Sequence, residues 1–159
     1  MLHVAMDLAD ILGREQIVPE LKAANRWEAI EELIANLVET GKVKPEYRDG
    51  IIAAVRKRES SMSTGIGHGI GIPHASTDLV STITGAFGRS QTGIDFDALD
   101  GQPVKLTTLL LVPQQEFQQH LHTVGGIAKL FSDAKFRESL ETAADAAAIL
   151  RIIRNPKTL

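Results

Sequence analysis

The residue types able to do covalent chemistry converge on one stretch, Ser63-Thr64-Gly65-Ile66-Gly67-His68-Gly69-Ile70-Gly71-Ile72-Pro73-His74. Glycines at alternate positions carry no Cβ, so backbone N–H groups there can approach a guest closely, and several converging on one point form an anion nest. Phosphate is the natural guest, with Gly65, Gly67, His68 and Gly69 as the candidate loop residues. Two nucleotide motifs are excluded. No Lys-Ser or Lys-Thr follows the glycines, as a P-loop requires, and the dinucleotide fingerprint is differently spaced. The competing reading is a glycine-rich strand bend or bulge whose histidines are structural.

Pro73 adds stiffness to that stretch. It fixes its own φ and pushes Ile72 toward an extended conformation, so His74 follows at a place where one ring pose can be held. A neutral imidazole, with an ordinary pKa of about 6.5, has one free ring nitrogen, and an acceptor for the other N–H sets the tautomer. Such a nitrogen can attack phosphorus.

His120 and Arg58 are the candidate partners. On a helix beginning near Phe117, the 3.6-residue period groups Phe117, Leu121, Val124, Ala128 and Phe131 on one face, with His120 inside that arc and His122 on the solvated side. His120 is thus expected to point inward, as a partner of the site or as a core histidine with one satisfied hydrogen bond. Arg58, in Arg56-Lys57-Arg58-Glu59, lies just upstream of the glycines. Its guanidinium could fork onto phosphate oxygens, or it could be a solvated helix end.

The elements that must position these residues follow from periodicity. Trp27, Ile30, Ile34, Leu37 and Val38 recur at three-and-four spacing over 26–39, an amphipathic helix stopped by Gly41. Pro45 suits the first turn of a second helix in which Tyr47, Ile51, Ile52 and Val55 share a side, ending near Arg58. Thr82 to Phe87 and Val104 to Val112 are β-branched and apolar and read as strands, the second apolar enough to be covered on both faces. Residues 116–131, 136–140 and 146–153 return to helical period. Helices therefore flank a mixed sheet in an α/β fold, and one domain spanning 1–159 is expected.

Composition removes other classes. Lys and Arg number 17 against 20 Asp and Glu among 159 residues, a formal net charge of -3, so there is no basic field for a nucleic acid or an anionic membrane surface. The absence of cysteine removes disulfides, thiolate metal sites and a cysteine nucleophile. The start shows no basic segment followed by an apolar run, and the most apolar stretch, Leu109 to Val112, is too short to cross a bilayer, so a soluble cytosolic protein is expected.

With these residues in view, Arg58-Glu59, Ser63-Thr64-Gly65-Ile66-Gly67 and Gly71-Ile72-Pro73-His74 resemble the phosphorylation site of the fructose/mannitol-type enzyme IIA domains of the bacterial phosphotransferase system. Phe96-Asp97-Ala98-Leu99-Asp100-Gly101-Gln102-Pro103-Val104, Leu110-Leu111-Val112-Pro113 and His120-Leu121-His122-Thr123 resemble the nitrogen-regulatory branch of that family. The resemblance runs from about Asp7 to Ile153.

The resemblance implies a five-stranded mixed sheet with helices on both sides, no metal and no bound organic cofactor. It implies that His74 is the phosphoryl acceptor, His120 the second active-site histidine and Arg58 the arginine beside them. The implied activity is that of a phosphotransferase component. Its donor is the phosphohistidine of the carrier HPr or its nitrogen-branch counterpart NPr, with phosphoenolpyruvate as ultimate source. Downstream it implies either a IIB domain in sugar transport or regulated proteins such as a transporter or kinase. His68 stands where asparagine is usual in the nitrogen branch, Gly71 where alanine is usual, and Ala75-Ser76 where glycine and a basic residue commonly follow.

Two further readings use the same residues. A metal-dependent hydrolase would gather His68, His74 and His120 with Asp78 or Asp95, although no compact ligand motif of the HExxH kind is present. A module of this fold that has lost phosphorylation is disfavoured by the retention of His74, Arg58 and His120.

Overall fold

The sheet is built around one strand that is buried nearly end to end. In the computed structural model, which describes residues 6–156, β6 (Val104–Pro113) exposes only Lys105. Its neighbours are β5 (Thr84–Ile94), antiparallel on one side, and β3 (Ile70–Gly71) and β4 (His74–Thr77), parallel on the other. β1 (Ile17–Val18) pairs parallel with β5, and β2 (Gly65–Gly67) pairs antiparallel with β3. The sheet thus has six strands in the order β1-β5-β6-β3-β2, with β4 also on β6.

The sheet is mixed and α/β, as expected, but has six strands rather than five. The difference arises at the edge of β6. Here β3 pairs with Leu106 and Thr107, and β4 pairs with Leu110 to Pro113, so two short strands take successive stretches of one edge. Pro73, lacking an N–H, sits at the break, and its carbonyl accepts from the Leu110 N–H at 3.0 Å. β5 also runs to Ile94, well past the expected end at Phe87. The polar run after Gly88 hid it, but Arg89 and Ser90 are buried within it.

Helices cover both faces. On one, α2 (Arg26–Glu39) is capped by the Asn25 side chain, which accepts from the Glu28 N–H, and buries Ala29, Ile30, Leu33, Ile34 and Leu37. α3 (Arg48–Ser61), entered through a 3₁₀ turn at Pro45–Tyr47, packs Ile51, Ile52 and Val55 into the same cluster with Leu109 and Leu111. On the other face lie α1 (Leu8–Ile11), α4 (Phe117–Leu130), α5 (Ala134–Thr142) and α6 (Ala146–Arg154). They pack over Leu106, Leu110 and Val112, with the Phe131 ring stacked on Phe87 and edge-on to Phe136.

The helices follow the sequence periods with one correction. On α4 the buried side is His120, Thr123 and Ile127, whereas Phe117 and Leu121 are exposed. The departure is confined to Phe117 and Leu121 of the expected face, since Val124 and Ala128 pack against the cluster and Phe131 is buried in it. The expected inward position of His120 and outward position of His122 both hold. Among the described residues no helix is long and apolar enough to cross a membrane. The expected bounds of 1–159 include residues 1–5 and 157–159, which lie outside the described residues.

One close approach sets the spacing of β5 under the chain before α2. A Cβ on Gly88 would come within 2.6 Å of Leu21 Cδ2 and 2.7 Å of its Cγ, and Leu21 is buried. Gly88→Ala is therefore expected to lower stability by about 1–3 kcal/mol through overpacking. Urea unfolding checks this, and an unchanged midpoint would mean that Leu21 swings aside without loss.

Candidate functional site

His74 opens β4 immediately after the Pro73 break, and the break gives it a partner of its own. Its Nδ1 lies 2.8 Å from the carbonyl oxygen of Ile72. A carbonyl only accepts, so Nδ1 carries the hydrogen and donates it, leaving Nε2 with a free lone pair. Burial is the main cause holding the His74 pKa below 6.5. The Ile72 bond opposes it, the nearby Arg58 charge adds to it, and Glu59 opposes it again. The balance favours a neutral ring with a free lone pair on Nε2.

Arg58 and Glu59 arrive at His74 from the end of α3. Glu59 is 1% exposed, a buried carboxylate that is paid for by hydrogen bonds. It accepts from the Thr64 N–H at 3.0 Å and from Thr64 Oγ1 at 2.7 Å, and Arg26 Nη1 lies 3.5 Å away. This fastens the chain as it leaves α3, and Thr64 in turn accepts the Ile72 N–H at its carbonyl, 3.1 Å away. Arg58 donates from Nη1 to the Met62 carbonyl at 3.1 Å, and no other hydrogen bond holds its guanidinium among the described residues. It is a half-buried cation with donors to spare, and its charge is felt at His74.

His120 belongs to the layer opposite α3. In parallel pairing His74 is level with Leu110, whose side chain belongs to the cluster under α4, so His74 and α4 share a face of the sheet. β6 ends at Pro113, and α4 then turns back over that face until Phe131 stacks on Phe87. His120, in the first turn of α4, therefore lies near the end of the sheet to which β4 also runs. It is 8% exposed. Its Nδ1 is 3.2 Å from Thr123 Oγ1 and its Nε2 is 3.6 Å from Glu116 Oε1. Among the described residues no hydrogen bond joins the two histidines.

The glycine run has a different part. Gly65 to Gly71 form the β2–β3 hairpin, and its tip holds Gly67, His68 and Gly69 at φ of 102°, 57° and 79°. The His68 N–H donates to Asp100 Oδ2 at 3.1 Å, and Asp100 also faces the Cα of Gly67. The N–H of Gln102 first, and that of His68 after it, holds the Asp100 carboxyl below the usual carboxylate range. The His68 N–H at the tip is thus already taken by a carboxylate of the chain itself. The Gly65 N–H is taken by Ser63 Oγ at 3.1 Å. The Gly69 carbonyl bonds Lys105 and Leu106, four to five residues before the Leu110 level of His74 on β6, or roughly 13–17 Å along the strand.

This separation bears on two of the expected residue sets. The tip residues Gly67, His68 and Gly69 are away from the His74 ring, and His68 occupies a left-handed conformation that asparagine also tolerates well. The metal set does not assemble: Asp95 bridges to Asn25 and accepts the Asp97 N–H, and no three His, Asp or Glu side chains among the described residues lie together as a ligand group. Sequence reasoning missed Glu59, Glu116 and Thr123. The signals were there: an acidic residue at a helix C-terminus, where the dipole disfavours it, and Glu and Thr four before and three after His120.

Comparison with known proteins gives a consistent result. The family described as Phosphoenolpyruvate-dependent sugar phosphotransferase system, EIIA 2, matches residues 10–155. A fructose-specific EIIA component of Haloferax volcanii is 41% identical over 84% of this chain and 86% of its own. A nitrogen regulatory protein of Bradyrhizobium diazoefficiens is 34% identical over 95% and 97%. The crystal structure of nitrogen regulatory protein IIA-Ntr from Neisseria meningitidis superposes with a TM-score of 0.83 at 32% identity, covering 92% of this chain and 98% of that one.

The site geometry makes a direct claim about the His74 ring. In a nitrogen-15 NMR titration His74 is expected to show the Nδ1–H tautomer and a midpoint below 6.5, and Arg58→Gln should raise that midpoint by removing a positive charge. An Nε2–H tautomer, or a midpoint above the ordinary value, would refute the assignment of Nε2 as the free nitrogen.

Proposed function

The chain belongs to the EIIA 2 family of the phosphoenolpyruvate-dependent sugar phosphotransferase system, a family of phosphocarriers, and from that premise we propose that His74 Nε2 is the atom that takes the phosphoryl group. The observation that carries the assignment is the bond from Nδ1 to the Ile72 carbonyl, which leaves Nε2 as the free nitrogen. The donor is the phosphohistidine of HPr or NPr.

The transfer balances without moving a proton. The P–N bond on the donor breaks with its electron pair returning to the donor ring, while the Nε2 lone pair forms the new P–N bond. Nδ1 keeps its hydrogen on Ile72, and that carbonyl then stabilises the positive charge the substituted ring acquires. The protein's work is positioning and stabilising charge on the equatorial oxygens. Arg58 supplies its unengaged N–H groups from the α3 side, and His120 supplies one N–H from the α4 side.

Protein carriers are the fitting partners. Met62, whose carbonyl holds Arg58, is an exposed apolar side chain, as are Ile66, Leu99, Phe117 and Leu121. Such side chains give a docking carrier apolar contacts at both approaches to the site. We read the downstream role as nitrogen-type regulation by phosphorylation state, supported by the IIA-Ntr likeness over nearly the full length of both chains. Delivery to a sugar-transporter IIB domain is the second reading, favoured by the 41% identity to a fructose-specific component. Either role belongs to the cytoplasm, and in either the chain acts as a phosphotransferase component.

Incubation with phosphoenolpyruvate, enzyme I and HPr or NPr should add one acid-labile, base-stable phosphate at His74, read by intact mass and peptide mapping. His74→Ala should abolish it, and His120→Ala should slow it by roughly 10²- to 10³-fold while leaving the fold intact by circular dichroism. Labelling on another residue type, or none with any cognate carrier, would overturn the reading. Labelling of His74→Ala but not of His120→Ala would reverse the two roles.

Arg58→Lys separates charge from geometry. An ammonium keeps the charge and loses the planar fork, so quenched-flow transfer should be slower than in the unsubstituted chain although folding is unchanged. Equal rates would make Arg58 a cap on the end of α3 and nothing more.

A further inference from the structure

Glu116 is the last residue of the 3₁₀ turn between β6 and α4, four residues before His120 and so one helical turn from it. Its carboxylate lies 3.6 Å from His120 Nε2 and makes no hydrogen bond among the described residues. The other ring nitrogen is already engaged. Thr123 Oγ1 accepts the Met6 N–H at 3.1 Å, and its own hydrogen is free to be given to His120 Nδ1, 3.2 Å away. With Nδ1 as acceptor, the hydrogen of the neutral ring resides on Nε2, and it faces Glu116. In that tautomer the single N–H that His120 offers outward is turned to an anion of the chain itself.

We propose that Glu116 is a displaceable occupant of His120 Nε2, giving way to the phosphoryl group when His74 is phosphorylated. The proposal rests on the reading above, in which that same N–H binds phosphoryl oxygens. The contest is unequal for two reasons. At 3.6 Å the carboxylate is beyond hydrogen-bond length and its side chain is 38% exposed, so water can take over its charge at little cost. A phosphoryl group carries about 1.5 to 2 negative charges at pH 7 and accepts shorter, charge-assisted bonds. The two anions also repel, so both do not share one N–H.

Displacement has a place to be felt. Gln114, Gln115 and Glu116 form one wall of an open cleft of about 470 Å³, and Asp78, Val80 and Ser81, just beyond the end of β4, lie in its other wall. A Glu116 released from His120 swings its charge into that cleft. The phosphorylation state of a half-buried ring is thereby written on a surface beyond the ring.

The test reads an equilibrium, which a merely structural role would not move. Purified protein and phosphocarrier are equilibrated with a fixed amount of phosphoryl groups, and the distribution is measured by intact mass for the unsubstituted chain, Glu116→Gln, His120→Ala and the double variant. Glutamine keeps the size of the side chain and removes the charge. Glu116→Gln is expected to shift the distribution toward phosphorylated His74 by roughly 2- to 5-fold, the scale of a half-exposed ion pair. In the His120→Ala background that shift should vanish, because the two residues act through one contact. No shift, a shift the other way, or an equal shift in both backgrounds overturns the proposal while phosphorylation of His74 stands. Failure of the unsubstituted chain to take up phosphate overturns the phosphocarrier reading, and this proposal with it.

Discussion

The bond between the Ile72 carbonyl and His74 Nδ1 is the interaction on which the rest of the site depends. It decides which ring nitrogen is free, and it exists because Pro73 interrupts the edge of β6. An unbroken strand would turn the Ile72 carbonyl toward a neighbouring strand, and the ring would have to find its acceptor elsewhere. Proline supplies the interruption at low cost, since it has no N–H to leave unpaired and since its fixed φ holds the corner stiff. The backbone around the break is then tied on both sides, by Ile72 N–H to Thr64 and by Leu110 N–H to Pro73.

Two cores meet at that break, and each delivers one kind of group. The α2–α3 layer brings Arg58 and, beneath it, the buried Glu59 whose bonds to Thr64 fasten the chain that leads toward the hairpin. The α4 layer brings His120 with a partner on each ring nitrogen. Arg58 and His120 are thus carried on helices that belong to two separate hydrophobic clusters. In the proposed transfer that anchoring means that neither has to be ordered at the moment of reaction.

Much of this was legible from residue spacing, and the failures have physical causes. The helices at 26–39 and 146–154 stand within a residue of their periodicity, because a solvent-facing helix must carry an apolar stripe. β6 was legible for the opposite reason, as a continuous apolar run buried on both faces. The polar half of β5 was not, since Arg89 is buried by donating to the carbonyls of Pro19, Leu140 and Ala143, acceptors far away in sequence. On α4 the apolar pattern put Phe117 and Leu121 inward where they are exposed, while His120, Val124, Ala128 and Phe131 face the core as their spacing suggests. The glycine run signalled an anion nest; what its tip meets is a single carboxylate, Asp100, on the His68 N–H, distant in sequence and nearby only through the fold. His74, Arg58 and His120 were singled out by type and motif. Glu59 and Glu116 were not, because a carboxylate's role depends on what faces it.

The division of the β6 edge between β3 and β4 has a consequence for how other proteins can recognise this one. The strands at the margins of the sheet are short: two residues in β1, three in β2, four in β4. The edge of β5 beyond β1 is largely occupied by the chain leading into α2, through Leu21 to Arg89, Asp95 to Ala24 and Arg26 to Asp95. Among the described residues no long row of free N–H and C=O groups is left to template an added strand, which is the route by which sheets join edge to edge and aggregate. Strand addition therefore finds little backbone to pair with here, and exposed side chains such as Met62, Ile66, Leu99, Phe117 and Leu121 offer another protein more to recognise.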